Sequence, residues 1–335
     1  MLVNVGKLMS HTSTKGGGGV KHPFNPSLVD AWFMSGLSNS DKPTQIVGVK
    51  KNKLQLKNFA YALNSGFGKY AVNWNGFVKT TANANFTNTD SSIHITEILV
   101  AAGKFLQTSA DETVAACKVK VEGITDDIKL RYVSYAEDGT RVYTYLKNGI
   151  NDLPISYKKF TGFAASVVGS CNITITQLPT AYEGALVFDG VDDYGICNNL
   201  PILTDYTVIC RRVIENDTNV VASKSIVAGN GAFIFEYTNN ATYSFSEYTY
   251  GLNMNLKDSV SYQTKNSYNG SVITVGTAND TDTLTLGIIR EKDSRLLKGA
   301  IYYFALYDKS LTPEEVEEEK VKLENYWEGG KNELA

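Results

Sequence analysis

The sequence predicts an all-β protein that is layered as a sandwich or barrel, with one helix at its C-terminal end. Three features support this class: 37 aromatic residues (20 Tyr, 14 Phe and 3 Trp) among 335, many short runs in which apolar and polar residues alternate, and Gly, Asn and Asp turn signals between these runs. Hydrophobic residues make up 43% of the chain, which is enough for a large core and excludes a disordered class.

The net charge excludes one class of partner. The chain carries 32 basic and 35 acidic side chains, a formal charge of −3. A nucleic-acid coat protein needs a basic surface to neutralise phosphates, so we expect no nucleic-acid partner. We expect no membrane partner either, because no apolar run reaches the length of a membrane span and Lys7 and His11 interrupt the N-terminal apolar residues before a signal peptide forms. We therefore expect a soluble protein folded in a reducing cytoplasm.

Residues 1–30 are predicted to form an anchoring arm. The four glycines Gly16, Gly17, Gly18 and Gly19 have a backbone entropy that opposes regular structure, and Pro23 and Pro26 follow them. Two interpretations remain open, a disordered leader and an extended anchor that becomes ordered against a neighbouring subunit. A phosphate-binding loop is excluded, since no Lys-Ser/Thr pair follows the glycines.

The rest of the chain is predicted to divide at about residues 76 and 180. Within 76–180, Lys118–Glu122 alternates as a strand, and the Asp138-Gly139 turn joins two alternating runs into a hairpin. Short strand-like runs return in residues 181–307, divided by turn signals such as Asn269-Gly270.

A helix is predicted after these strands. Thr312 suits the N-cap, Pro313 the first helical position and Glu315 the capping box. We expect the acidic residues of this helix to form a solvated face.

The four cysteines, Cys117, Cys171, Cys197 and Cys210, lack the close pairing that a zinc site needs, and a disulfide framework would need more of them in a shorter chain. We expect four separate thiols.

Two segments carry a family resemblance. GALVFDGVDDYG at 184–195 and KGAIYYFALYDKSLTPEEV at 298–316 resemble the concanavalin A-like, laminin-G-like jelly-roll family. The earlier WFMSG at 32–36 and LKNFAYALNSGFGKY at 56–70 resemble laminin-G-like proteins of phages and prophages of gut Bacteroidales, including crAss-like phages. The resemblance implies a jelly roll that begins in residues 31–75, is interrupted by a β-rich inserted domain at 76–180 and resumes in 181–335, with 1–30 as its attachment arm.

Two candidate binding sites follow. The first is a possible calcium site at Asp189, Asp192 and Asp193, whose carboxylates offer the oxygen ligands that Ca²⁺ prefers, as in some calcium-binding members of the family. Turn formation explains the same residues, so we assign no cofactor. The second candidate site is a group of Tyr and Asn residues, whose rings could stack under sugars and whose amides could hydrogen-bond to sugar hydroxyls. The same residues could instead serve strand packing or a subunit interface. They are Tyr243, Tyr248, Tyr250, Asn253 and Asn255.

No catalytic residue is predicted. The Glu-x-Asp-x-x-Glu string of related glycoside hydrolases is missing, and Glu236 is expected to be a lone surface residue of a strand. His94 is the only histidine beyond residue 22, and no nucleophile elbow accompanies it.

The sequence therefore leaves three functions open. The first is a structural virion protein of a tailed phage, as a head fibre, a capsid decoration or a tail-associated subunit. Such a protein would be assembled in the host cytoplasm and bound to capsid or tail proteins. We expect it to form a homo-oligomer, for example a trimer. The second is a carbohydrate-binding adhesin for host surface glycans. The third is a polysaccharide-degrading enzyme.

Overall fold

Antiparallel strands build the fold, and a helix follows the last of them. In the computed structural model, the structure describes residues 23–215, 218–224, 233–239, 242–245, 248–250, 257–273, 281–289 and 295–329. Within these residues the protein is all-β with a C-terminal helix, which confirms the class that the sequence predicts.

The described elements fall into three stretches of sequence. The first contains β1 Leu28–Phe33, β2 Gln45–Val47, β3 Lys53–Lys57 and β4 Gly66–Lys69. The second contains a 3-10 turn at Trp74–Gly76, then β5 Val78–Lys79, β6 Ala84–Asn88, β7 Ser92–Ile98, β8 Lys104–Gln107, β9 Cys117–Glu122, β10 Leu130–Tyr135, β11 Arg141–Tyr145, β12 Gly149–Leu153, β13 Gly162–Ala165 and β14 Gly169–Gln177.

The third stretch holds the remaining strands and the helix. They are β15 Ala181–Asp189, β16 Tyr194–Cys197, β17 Thr207–Ile214, β18 Thr218–Lys224, β19 Phe233–Asn239, β20 Thr242–Phe245, β21 Tyr248–Tyr250, β22 Ser259–Thr264, β23 Ser267–Tyr268, β24 Ser271–Val272, β25 Leu284–Leu286, β26 Lys298–Tyr307 and α1 Pro313–Glu328.

The first and third stretches form two eight-stranded sheets, which we call the large unit. One sheet has the order β24-β23-β22-β17-β26-β15-β4, with β1 also paired to β26, and the other has the order β2-β3-β16-β25-β18-β19-β20-β21. Side chains from both sheets share one hydrophobic core, for example Trp32 and Phe304 from the first sheet and Leu54 and Phe235 from the second. This core buries apolar surface from residues that are distant in sequence, which is the main stabilising term.

The second stretch forms two five-stranded sheets, which we call the small unit. Their orders are β11-β10-β13-β8-β5 and β12-β9-β14-β7-β6. A separate core lies between them and includes Trp74, Phe163 and Ile175. In β9 the side chains alternate strictly between buried and exposed, as the sequence of Lys118–Glu122 predicts.

The predicted hairpin is also present in the small unit. β10 and β11 pair antiparallel across the turn, with Tyr135 opposite Arg141. Gly139 adopts φ +85°, and the carboxylate of Asp138 accepts the backbone N–H of Thr140 at 2.7 Å, so the Asp-Gly pair builds the turn as expected.

Helix α1 covers the outer face of the first sheet of the large unit. Its capping box is formed as predicted: Glu315 N–H donates to Thr312 Oγ1 at 3.2 Å, and Thr312 N–H donates to Glu315 Oε2 at 2.9 Å. Val316 and Leu323 are fully buried in a second core against this sheet. Strand β26 is consequently buried on both faces, which explains its almost continuous apolar sequence.

The expectation of a solvated acidic face holds for only part of α1. Glu317 and Glu318 are exposed, but Glu319 is buried, where it accepts hydrogen bonds from the Tyr307 hydroxyl at 3.0 Å and from Lys322 Nζ at 2.6 Å. The four cysteines are free thiols, as expected, and all except Cys171 are buried.

The last residues of the predicted N-terminal arm (residues 1–30) are part of the large unit. β1 begins at Leu28, and Phe24 is buried, with its ring 5.6 Å from that of Tyr326. Burial of an aromatic ring fixes this segment on the sheet. The segment from Phe24 to the end of β1 therefore belongs to the large unit.

Candidate functional site

The turn between β15 and β16 brings together the three predicted calcium candidates. Oxygen atoms of Asp189, Asp192 and Asp193 all lie within 4.8 Å of one another. Asp193 Oδ2 accepts the backbone N–H of Asp189 at 3.0 Å, and Asp193 Oδ1 accepts the hydroxyl of Ser65 at 2.9 Å. Asp189 Oδ1 accepts the backbone N–H of Val191 at 2.7 Å. These bonds build the turn and attach it to the loop before β4.

Asp193 is the unusual member of this cluster. It is buried, and burial raises the pKa of its carboxyl to about 7, with the charges of Asp189 and Asp192 adding to the rise. A Ca²⁺ ion takes six to eight oxygen ligands, about twice what three carboxylates supply singly. Because Asp193 and Asp189 already accept hydrogen bonds within the turn, the residues here make at most part of a calcium shell, and we derive no function from such an ion.

The predicted sugar-stacking residues lie in a region of which little is described. Tyr243 belongs to β20, and Tyr248 and Tyr250 belong to β21, where Tyr243 pairs with Tyr250 in the register of an antiparallel hairpin. Asn253 and Asn255 lie outside the described residues, as does the glycine run Gly16–Gly19 of the predicted arm. These candidates remain predictions.

Glu236 contradicts its expected position on the surface. It is fully buried between the two sheets of the large unit, where its carboxylate binds the guanidinium of Arg212: Arg212 Nε donates to Oε2 at 2.6 Å and Arg212 Nη2 to Oε1 at 2.5 Å. Glu236 has φ +51°, and this left-handed conformation breaks the alternation of the strand, so that Phe235 and Glu236 are both buried.

Further polar groups surround this ion pair. The hydroxyl of Tyr268 donates to Glu236 Oε1 at 2.6 Å, and Arg212 Nη1 donates to Ser259 Oγ at 2.6 Å. Burial and the charge of Glu236 raise the pKa of Tyr268, so the phenol remains a neutral donor. The ion pair between Arg212 and Glu236, together with these hydrogen bonds, joins β17 of one sheet to β19 of the other.

The sequence does contain a signal for this pair. Arg211 and Arg212 are consecutive in an apolar strand, so one of them has to face the core. Arg211 faces the helix instead, where it donates two hydrogen bonds to Asp258 at 2.8 and 2.7 Å and one to Glu324 at 3.0 Å.

Neither of the two grooves beside the connections between the units is lined by a pair of carboxylates. The larger groove, about 780 Å³, has Asp152 as its one acidic lining residue, and the smaller one, about 320 Å³, has Glu112. His94 lies in β7 and its Nδ1 is 3.2 Å from the hydroxyl of Thr174, which is its direct partner on β14. Of the helices described, none has the length and apolar composition to cross a membrane.

Comparisons with known proteins identify no family. No protein-family model matches the chain, and no curated protein matches it. Among solved structures, the chain is similar to a Trypanosoma rangeli sialidase in complex with the inhibitor DANA, with 10% identity over 81% of this chain and 67% of that chain, at a TM-score of 0.27. This likeness is too distant to support an argument about function, and the resemblance to concanavalin A-like proteins has no counterpart in these comparisons.

Proposed function

We propose that this chain is a structural protein of a tailed-bacteriophage virion, as a head fibre, a capsid decoration or a tail-associated subunit. In this proposal, the residues before Phe24 anchor the chain to capsid or tail proteins. The large unit is a concanavalin A-like jelly roll, residues 76–180 are an inserted domain, and the β body is displayed to host surface glycans as a homo-oligomer.

The proposal rests on the positions of the charged side chains in the large unit. Arg212 and Glu236 connect the two sheets, Arg211 connects the first sheet to Glu324 of the helix, and the Tyr307 hydroxyl binds Glu319. These contacts join layers and do not gather in a cleft. Side chains used in this way hold a rigid body together and are not available for proton transfer to a substrate.

The position of the two family-like motifs supports the jelly-roll part of the proposal. GALVFDGVDDYG provides β15 and the turn after it, and KGAIYYFALY provides β26. These strands are neighbours in one sheet, with Leu186 opposite Ile301 and Val187 opposite Ala300. Motifs that are over a hundred residues apart in sequence therefore form one structural element.

The grooves give less support to a polysaccharide-degrading enzyme. Glycosidases that use paired carboxylates need two of them about 5 to 9 Å apart. Each groove described above offers one.

The direct test is quantitative mass spectrometry of density-purified phage particles from the host culture. We expect peptides of this chain to copurify with the major capsid protein in a fixed ratio that corresponds to many copies per particle. An abundant host cytoplasmic protein serves as the control and should be depleted across the gradient. Absence of the chain from particles that retain heads and tails would overturn the proposal.

A further inference from the structure

The outer face of the β11-β10-β13-β8-β5 sheet of the small unit carries a continuous row of aromatic rings and cations. We call it the aromatic–cation strip and define it as Phe160, Lys104, Tyr135, Arg141, Tyr143 and Arg131. Sheet geometry explains the row, because Arg131 and Tyr135 alternate onto one face of β10, and Arg141 lies directly opposite Tyr135.

Rings and cations follow one another along the strip, where Phe160 and Tyr143 are exposed and Tyr135 is buried, with 9% of its surface accessible. Lys104 Nζ lies 5.7 Å from the ring centre of Phe160 and 5.4 Å from that of Tyr135. The guanidinium of Arg141 is 5.7 Å from the ring centre of Tyr135, and its Nη1 donates to the Tyr143 hydroxyl at 3.4 Å. The guanidinium of Arg131 is 4.7 Å from the ring centre of Tyr143. Contacts of this kind orient the cations without neutralising them.

The three cations of the strip, Lys104, Arg131 and Arg141, are not paired with carboxylates in the part of the chain that the structure describes. The pKa of Tyr143 is lowered by the hydrogen bond from Arg141 and by the charges of Arg141, Arg131 and Lys104. The nearby carboxylate of Asp111 accepts the backbone N–H of Lys159 at 2.9 Å, so it is used to hold its loop.

Phe160 presents its ring to solvent from a loop with a strained backbone. It has φ +64°, a conformation that bulky residues rarely adopt, and its side chain is 43% exposed. The loop is fixed by buried groups: Phe160 N–H donates to the carbonyl of Thr108 at 3.2 Å, and the hydroxyls of Ser156 and Thr161 lie 2.5 Å apart. The loop therefore holds the Phe160 ring in an exposed position where a partner could contact it.

We infer that the aromatic–cation strip binds an acidic polysaccharide, whose sugars carry carboxylates. This inference rests on the proposed display of the chain to host surface glycans and specifies which glycans it contacts and where. Aromatic rings pack against the apolar C–H face of a sugar, and a guanidinium binds a carboxylate through two hydrogen bonds. The exposed rings of Phe160 and Tyr143, with cations between and beside them, match a polymer in which each unit offers one apolar face and one carboxylate.

Calorimetric titration of the full chain tests the inference, with a hexamer of galacturonic acid as the probe and a hexamer of glucose as the neutral comparison. We expect the acidic hexamer to bind at least about tenfold more tightly than the neutral one, with an affinity that falls as salt is added. The double variant Arg131→Gln and Arg141→Gln should reduce acidic binding by about tenfold or more.

A second variant separates the ring from the fold. Asn tolerates positive φ, so Phe160→Asn removes the ring without adding backbone strain, and it should weaken binding about fivefold while leaving the melting temperature unchanged or higher. Lys120→Gln is the matched control, because Lys120 is an exposed cation of β9 in the other sheet of the small unit, and it should leave binding unchanged.

Three results would overturn the inference: equal affinity for the two hexamers, equal binding by the strip variants and the Lys120 control, or equal affinity for a glutamic acid hexamer, which would indicate an acidic protein partner. Failure of every saccharide to bind would also overturn it. The proposed function is judged separately, by the presence of the chain in purified particles.

Discussion

The large and small units use charged side chains in opposite ways. Among the described residues, the large unit buries six of them, Asp30, Asp193, Arg212, Lys224, Glu236 and Glu319, whereas the small unit buries Asp90 alone. Cations of the small unit lie on the outer face of one sheet, beside the exposed rings of Tyr143 and Phe160 and the buried ring of Tyr135. The contrast teaches that charge in the large unit fixes layers to one another, while cations of the small unit remain on the surface, where we propose that they bind an acidic polysaccharide.

Asp30 shows how the large unit uses a buried carboxylate. It lies in β1 and accepts the backbone N–H groups of Ala31, Lys50 and Asn52 at 2.8 to 2.9 Å, which fixes the turn between β2 and β3. A Cβ on Gly48 would lie 2.3 Å from its carboxylate oxygen, so the turn has room only for glycine there. One side chain thus connects the first sheet to the second.

The largest expected effect comes from the ion pair between the sheets. Glu236→Gln removes the carboxylate that binds the buried guanidinium of Arg212, and we expect the free energy of unfolding in urea to fall by about 3 to 5 kcal/mol. Lys104→Gln, which removes a cation of the strip, should change the free energy of unfolding by less than about 0.5 kcal/mol. Similar losses in the two variants would contradict the division between inward and outward charge.

The next effect concerns the helix on the first sheet. The ring of Trp327 lies 5.4 Å from that of Tyr302, and its Nε1 donates to the carbonyl of Gly184 at 2.9 Å. We expect Trp327→Ala to lower the free energy of unfolding by about 3 kcal/mol in chemical denaturation. Val321→Ala is the control, because Val321 is 61% exposed on the same helix and should cost little. Equal costs would show that the helix is not held by this face.

A pH effect should come from Asp193. Its folded pKa of about 7 is above the value of about 3.9 for an unfolded carboxyl, so between these values the folded state holds a proton that the unfolded state releases. The contribution of Asp193 to stability is therefore fully present below about pH 4 and is lost as the pH rises to about 7.

Asp193→Asn tests this sign. The variant should gain on the order of 2 kcal/mol relative to the unmodified chain when urea unfolding is moved from pH 5 to pH 8, since the amide carries no charge to desolvate. Exposed Asp138→Asn provides the comparison. A difference between Asp193→Asn and the unmodified chain that stays constant with pH would show that Asp193 is ionised throughout.

The smallest effect is local to the start of the helix. Thr312→Ala removes the side chain that accepts the N–H of Glu315, and we expect a loss of about 1 kcal/mol in thermal or urea unfolding. Thr312→Ser keeps the acceptor and should restore most of it. If both variants lose the same amount, the cap does not contribute through its hydrogen bond.

Features that depend on neighbouring residues were predictable from the sequence. The capping box at Thr312, the Asp138-Gly139 hairpin and the alternating strand at Lys118–Glu122 each follow from residues a few positions apart. The contact between Arg212 and Glu236 was missed, because it depends on the packing of two sheets and on a positive φ at Glu236 that alternation does not reveal.

The aromatic–cation strip was missed for a related reason. Lys104, Tyr135 and Phe160 are separated in sequence and meet because β13, which follows the loop of Phe160, pairs with β10 on one side and with β8 on the other. A residue pattern within any one of these segments reads as an ordinary strand or loop. Sheet order, which local sequence does not determine, creates this surface.

Cryo-electron microscopy of purified phage particles tests most directly whether the chain is a displayed virion component. The account predicts density for the large unit attached to the head, collar or tail in a regular array, with the outer face of the β11-β10-β13-β8-β5 sheet open to solvent. Particles without this density, or density in which that face is covered by another virion protein, would contradict it.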